Sequence, residues 1–403
     1  MSKPRLVLRA AGRSLLPTVD AVVAHERPAE PLVCLRPAVI ASQARCFVEA
    51  FPGDVLYAVK CNPEPRVLRA VWAGGVRHFD CASLPEIALL REVLPEAELH
   101  FMHPVKARHA IHAAFHRHGV VDFAFDSADE LEKIVQETVP VGLVGEPLTL
   151  GLFLRLAVSQ GGAYDLSGKF GAATEEAARL LRAARPHAAR LGIAFHVGSQ
   201  CLDPAAYRSA LRAAGEAASR SGVAIDIVDV GGGFPVSYPD VVPPPLDAYV
   251  AAVAEAAEAW FEDGVRLWAE PGRALVAAGG SLVVQVELRR GDALYVNDGV
   301  YGSLSDAGRP GFRFPARCIR PDRAAADDAP LHAFTLYGPT CDSADRMKGP
   351  FLLPADIDEG DWIELGQLGA YGACLRTRFN GFDGGGLVEV ADPSLLATPG
   401  YDG

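Results

Sequence analysis

From about residue 33 to residue 280, short apolar runs alternate with helical stretches rich in Ala, Leu, Arg and Glu, and this alternation restricts the fold more than any other feature of the chain. The runs are VLYAVK, VRHFDCA, ELHFMHP, VDFAFD, LGLFLRL, GIAFHVG, AIDIVDVGGG and VRLWAE. Between most of them lie segments such as PEIALLREVL, ADELEKIVQ and TEEAARLLRAA, whose apolar residues recur at three and four. A helix between two strands carries the chain back along the sheet, so the strands it joins run parallel. Eight strand–helix units over roughly 250 residues predict an α/β fold of the closed (β/α)8 kind. An open doubly wound sheet is the alternative, but GGGFP is a poor match to its G-x-G-x-x-G fingerprint.

The residues at which these runs end carry the next inference. At or just past their C-terminal ends stand Lys60, Asp80, His103, Asp126, Arg155, His196, Gly231 to Gly233, and Glu270. In a barrel those ends converge on one mouth, where side chains distant in sequence can meet. A polar residue or a glycine at every one of them predicts a catalytic mouth.

After about residue 280 the helical period fades. SLVVQVELR, ALYVND, GFRFPAR, LHAFTLYG, DWIELGQ and GLVEVAD alternate with Gly, Pro and Asp turns and predict an antiparallel β domain. The expected division is therefore residues 1–32 as an N-terminal segment pairing with the β domain, 33–280 as the barrel, and 281–403 as the β domain. Pro321 to Pro330 reads as an exposed loop. A net charge of −12 argues against nucleic acid or an anionic membrane as the main partner, and no apolar run is long enough to span a bilayer. Eight scattered cysteines without a C-x-x-C pair read as reduced thiols of a cytoplasmic protein, with neither a disulfide framework nor a metal site. The first residues are basic and lack acids up to Asp20, a transit-peptide flavour, although Arg and Ala are abundant throughout.

Taken singly, each polar strand end has a plain structural explanation. Lys60 could snorkel to the surface or be held for chemistry. Asp80 could cap the helix beginning near Ser83, His196 could be a satisfied core histidine, and Glu270 before Pro-Gly could belong to a turn. The glycines of VDVGGGFP fit a tight turn, or backbone amides crowded around an anion with Arg273 as a fork for its oxygens. Together they supply a lysine for a covalent bond, a phosphate cradle, a carboxylate for a ring nitrogen and an imidazole to lie on a ring. Those are the parts of a pyridoxal 5'-phosphate site.

YAVKCNP, FDCAS, KFG, FHVGSQ, GGGFP, EPGR, YVNDGVYGS, GPTCDSADRM and GAY…FNGF occur in this order, and the chain resembles the ornithine decarboxylases of the eukaryotic type and their bacterial relatives over residues 33 to 390. These are fold-type III pyridoxal-phosphate decarboxylases, with an alanine-racemase-like barrel followed by a β domain. The resemblance implies that Lys60 bonds to the cofactor, with Asp80 and Glu86 supporting the lysine side of the pocket. His196 would stack on the ring and Glu270 would pair with the ring nitrogen. Ser199, Gly231, Gly232, Gly233, Arg273 and Tyr371 would bind the phosphate. Arg155 matches a pocket arginine, and Lys169 an interdomain salt-bridge lysine. Cys341, Asp342, Tyr301 and Phe379 would meet the substrate, with the Cys-Asp pair reaching the other subunit's site in a head-to-tail homodimer. Cys341 would return a proton to the former Cα, a task that suits a thiol.

Asp342 after the cysteine suits a distal ammonium, whereas relatives acting on diaminopimelate usually carry Glu there with arginines nearby. The resemblance thus favours L-ornithine giving putrescine for polyamine synthesis, with lysine or another diamino acid as the alternative. One departure stands out: the second acidic residue of animal-type enzymes falls on Pro310 here, with Asp306 as a possible substitute and Arg309 beside it. A non-catalytic regulatory relative is disfavoured, because Lys60, Asp80, His196, Glu270 and Cys341 are all present.

Overall fold

In the computed structural model, eight parallel strands close into a barrel. In chain order they are β1 (Asp54–Ala58), β2 (His78–Cys81), β3 (Glu98–Phe101), β4 (Asp122–Phe125), β5 (Gly151–Arg155), β6 (Arg190–Ala194), β7 (Ile227–Asp229) and β8 (Arg266–Ala269), with β8 pairing back onto β1. The described residues are 8–10, 13–15, 17–138, 149–158, 162–164, 168–262, 264–322 and 330–401. They divide into a barrel unit, Gln43–Pro235 with Pro243–Ala274, and a β unit, Met1–Ser42 with Val236–Val242 and Leu275–Gly403.

The barrel closes because its interior is filled. Leu56, Met102, Ala124, Phe153, Ala194, Ile227 and Trp268 form one buried cluster, in which the Phe153 and Trp268 rings stack at 4.7 Å. Large rings fit because small residues face them: a Cβ on Gly192 would stand 2.4 Å from the Phe153 ring. The N-terminal end of the barrel is polar instead. There Arg190 donates to Asp122, Asp122 meets His100 at 2.8 Å, and His100 meets His78 at 3.0 Å.

The surrounding helices start where the sequence marks them. Ser83 caps Leu84–Val93, its hydroxyl accepting the Glu86 amide at 3.4 Å, while Glu86 accepts the Ala82 amide at 2.6 Å. Thr174–Ala184 opens with Glu175 and Glu176 and carries Arg182 in its last turn, charges that oppose the helix dipole.

The β unit holds Gly280–Arg290, Ala293–Val296, Leu331–Tyr337, Trp362–Leu365 and Gly386–Glu389, the strands expected from five of the six apolar runs; the sixth run, GFRFPAR at 311–317, is strand only from Ala316, in Ala316–Ile319. Most of its pairs are antiparallel, but Ala293–Val296 runs parallel to Leu331–Tyr337, and Gly386–Glu389 parallel to Leu32–Leu35. Leu32–Leu35 also pairs with Gly280–Arg290, so the first residues placed in the barrel by sequence belong to this sheet, and the barrel unit starts at Gln43. Another strand, Arg346–Pro354, had no clear sequence signal because Gly349 and Pro350 interrupt it. It tolerates proline because, among the described residues, it lies at the edge of its sheet, paired with Leu331–Tyr337. Near the N-terminus, Leu8–Ala10 and Arg13–Leu15 pair with each other. The helix Val19–Glu26 buries Val19, Val22 and Val23 against Leu32, Val283, Ile319, Trp362 and Val390. The loop expected over 321–330 lies mostly outside the described residues.

Candidate active site

In the barrel unit, the polar strand ends become specific contacts. Lys60 sits in the tight turn Val59–Cys61 directly after β1, and its Nζ lies 2.8 Å from Asp80 Oδ2 at the end of β2. The lysine side chain is 43% exposed, whereas Asp80 is 2% exposed. A buried carboxylate thus anchors an accessible amine. Helix capping falls to Ser83, leaving Asp80 for the lysine.

His196 is half-buried two residues past β6, and its Nδ1 accepts the Gly198 amide at 2.9 Å. Burial, followed by the charges of Arg155 and Lys60, drives its pKa well below the usual histidine value. The ring is therefore neutral, with any proton on Nε2, and presents an aromatic face rather than a cation.

Gly231 and Gly233 take φ of 68° and 104°. A Cβ on Gly231 would fall 2.1 Å from Phe195 O, and one on Gly233 would fall 2.5 Å from Gly198 O. Here glycine is required by the neighbouring backbone as well as by the turn. The amides of Gly232 and Gly233 find no acceptor among the described residues, which suits an incoming anion. Ser199 opens the short strand Ser199–Cys201, which pairs with Gly162–Tyr164, and Arg155 closes β5.

Glu270 follows β8, is 4% exposed, and leaves Oε1 buried without a hydrogen-bond partner. Burial, then the charges of Asp229 and Asp80, push its pKa well above the carboxylate range, against the pull of Lys60 and Arg155. Arg273, 4% exposed, starts the helix Arg273–Val276. Lys169 rests its ammonium 4.9 Å from the Phe170 ring centre. Among the described residues, no cluster of His, Cys, Asp or Glu is placed to hold a metal ion.

Within the β unit, Tyr301, Cys341, Asp342 and Phe379 come together. The Tyr301 hydroxyl donates to Asp342 Oδ2, its ring lies 5.0 Å from that of Phe379, and its carbonyl accepts the Thr377 amide at 2.9 Å. The Ala344 amide and the Tyr301 hydroxyl hold the Asp342 carboxyl below its ordinary pKa, so it stays anionic. Cys341 is exposed, and its amide donates to Asn380 Oδ1 at 3.1 Å. Tyr371 lies elsewhere in this unit with a positive φ of 53°. Asp306 is 3% exposed on the short helix Ser305–Gly308, with its carbonyl taken by the Gly311 and Phe312 amides, so it is not displayed as Asp342 is. Sequence reasoning missed two residues. Asn380 was visible only as the polar member of FNGF, and Asp229 only as a polar interruption of a buried strand.

The barrel residues fit pyridoxal phosphate: an accessible amine, a neutral ring face, a glycine turn with unused amides and a carboxyl oxygen lacking a partner. Residues 38–277 match the family model described as pyridoxal-dependent decarboxylase, pyridoxal binding domain. The lysine/ornithine decarboxylase of Selenomonas ruminantium is 34% identical over 342 residues, covering 82% of this chain and 81% of that protein. The arginine decarboxylase of Paramecium bursaria Chlorella virus, solved with agmatine, superposes with a TM-score of 0.80 at 28% identity, over 92% of this chain and 98% of that one. The lysine/ornithine decarboxylase of Vibrio vulnificus, solved with putrescine, gives 0.77 at 30% identity, over 92% and 97%. An accessible amine able to bond an aldehyde, at the mouth of a barrel of this kind, therefore has its explanation: this chain belongs to the pyridoxal-dependent decarboxylases and is a pyridoxal-phosphate-dependent decarboxylase of basic amino acids.

Proposed function

We propose that the substrate is L-ornithine and the products are putrescine and CO2, for polyamine synthesis in the cytoplasm. The observation that carries this reading is Asp342. Its carboxylate is kept anionic by Tyr301 and Ala344 beside the exposed Cys341, and an anion there suits the distal ammonium of a diamino acid. Pro310, where animal-type enzymes carry a second acid, leaves Asp342 as the principal charge for that ammonium and supports lysine as a second substrate. Among the described residues, no helix is long and apolar enough to cross a membrane.

Each residue has a task in this reading. Lys60 holds the cofactor, Asp80 orients its amine, and His196 supplies a flat neutral face. The bound cofactor supplies a protonated ring that accepts the electrons left by departing CO2. Ser199, the three glycines, Arg273 and Tyr371 hold the phosphate. Cys341 moves a proton through its Sγ. The protein acts as a homodimer, with the Cys341–Asp342 segment of one copy completing the barrel mouth of the other. The exposed Leu375, Phe379 and Phe382 give that association an apolar surface.

CO2 release compared across L-ornithine, L-lysine, L-arginine and meso-diaminopimelate tests the substrate. The highest kcat/KM is expected for ornithine with lysine next; a decisive preference for diaminopimelate overturns the role given to Asp342.

A further inference from the structure

Asp229, the last residue of β7, is fully buried, at 0% exposure, and none of the described residues forms a salt bridge with it. Its Oδ1 accepts the Gly231 amide at 2.8 Å, while Oδ2 is buried with no partner. Just past the adjacent strand β8, Glu270 shows the same pattern, with Oε1 buried and unpartnered. The Val230 amide donates to Trp268 O at 2.9 Å and the Glu270 amide to Gly231 O at 2.8 Å. These bonds lock the two strand ends side by side, and the two carboxyl groups interact directly.

Capping Gly231 alone does not call for an acid. An asparagine would accept the same amide without burying an ionisable group. A second carboxyl against Glu270 has a different consequence, because two carboxylates in a dry site cannot both ionise, and the pair retains one proton.

We propose that Asp229 is a positioning residue that keeps a proton on the Glu270 carboxyl, ready for the cofactor's ring nitrogen, while its other oxygen fixes the Gly231 amide and so the phosphate turn. One side chain thereby ties the ring-nitrogen end of the cofactor site to the phosphate end. The charged groups acting on the pair are Asp80 near the end of β2, Lys60 after β1 and Arg155 at the end of β5. The neighbouring His196 is neutral and adds no charge. Burial raises both carboxyls, but the Gly231 amide donated to Asp229 favours its anionic form while Glu270 Oε1 has no donor facing it, so the retained proton resides on Glu270. The proton is shared between Glu270 and a basic ring nitrogen without any being gained or lost by the site. This role is independent of which amino acid is decarboxylated.

The test uses the holoenzyme loaded with pyridoxal phosphate labelled with 15N in the ring, whose chemical shift reports protonation directly. Asp229→Asn removes the charge and keeps an acceptor for Gly231; Asp229→Ala removes both. In Asp229→Asn, the pH at which the ring nitrogen loses its proton is expected to fall by about one unit or more. Asp229→Ala is expected to show that fall and also to bind the cofactor about tenfold more weakly. An unchanged 15N titration in Asp229→Asn overturns the proposal. Should neither variant fold, the full wild-type chain stripped of cofactor decides by infrared spectroscopy. A protonated-carboxyl band at neutral pH that disappears in Glu270→Gln supports the proposal, and absence of that band in the wild type overturns it.

Discussion

The Lys60 ammonium meets the Asp80 carboxylate at 2.8 Å, joining the ends of two neighbouring barrel strands through one charged hydrogen bond. Asp80 is 2% exposed, so the contact is held from the buried side, while the lysine remains reachable. Replacing Asp80 with Ala frees the amine from its orientation. A hydrogen bond to a charged group is worth about 1.5–3 kcal/mol, so turnover is expected to fall about tenfold to hundredfold. Asp80→Glu, which can still reach, is expected to recover part of the loss. Steady-state rates with the cofactor at saturation check this, and wild-type turnover in Asp80→Ala would show that the contact is incidental.

Lys60, Asp80, His196 and Glu270 were legible in the sequence because strand direction sends all eight strand ends to one mouth, whatever fills the helices between. The role of Asp229 was not, because its meaning depends on Glu270, 41 residues later in the chain, standing at the end of the adjacent strand in a fixed register. For the same reason, the barrel segment reads from residue 33 and takes in most of Leu32–Leu35. Nothing local distinguishes it from a barrel strand, and its partners Gly280–Arg290 and Gly386–Glu389 are far away in sequence. Arg346–Pro354 was hidden by a Gly-Pro pair that only an edge position permits. Asp306 seemed a substitute for the acid missing at Pro310 until burial placed it inside the β unit. Composition cannot distinguish a displayed carboxylate from an enclosed one.

If each active site draws Lys60 from one copy and Cys341 from another, two inactive variants should complement. Equal amounts of Lys60→Ala and Cys341→Ala, exchanged at random, give half the dimers as heterodimers, each with one intact site. About a quarter of wild-type activity is then expected. A mixture no more active than its two components, under conditions where subunit exchange is shown by mass spectrometry, rules out the shared site.

Phe379 stacks obliquely on Tyr301 at 5.0 Å and is 41% exposed, so in the proposed dimer it forms an apolar wall beside the substrate carboxylate. A wall that excludes water there favours loss of CO2 over retention of the charge. Phe379→Ala is expected to lower kcat on the order of tenfold, a little over 1 kcal/mol in the barrier, with substrate Kd changed by less than about threefold. Carbon-13 isotope effects on CO2 release separate the two steps, and an unchanged kcat ends the idea.

The polar end of the barrel makes stability depend on pH. His78 lies 3.0 Å from His100, which lies 2.8 Å from Asp122, and the acids facing His78 are Asp54 at 3.9 Å and Glu98 at 3.5 Å. Burial, then the His100 charge, lowers the His78 pKa below its ordinary 6.5, despite the pull of Glu98 and Asp54. A histidine whose pKa is lowered in the folded state binds its proton more tightly in the unfolded chain. The His78 contribution to stability is therefore fullest above 6.5 and is lost as the pH drops through that value towards the folded pKa. The raised Asp229 and Glu270 contribute in the opposite direction, equally in any His78 variant. Asp122, held low by His100 and Arg190 against its own burial, gives way only at more acidic pH, below the ordinary 3.8. Thermal unfolding between about pH 8 and pH 5, with cofactor in fixed excess, is expected to show Tm falling with pH. His78→Gln keeps an N–H for His100 and removes the titration, so its Tm should fall less over the same window. The lowered His103 and His196 keep some slope in both proteins. Parallel Tm curves for the two would show that His78 takes up its proton equally in folded and unfolded chains.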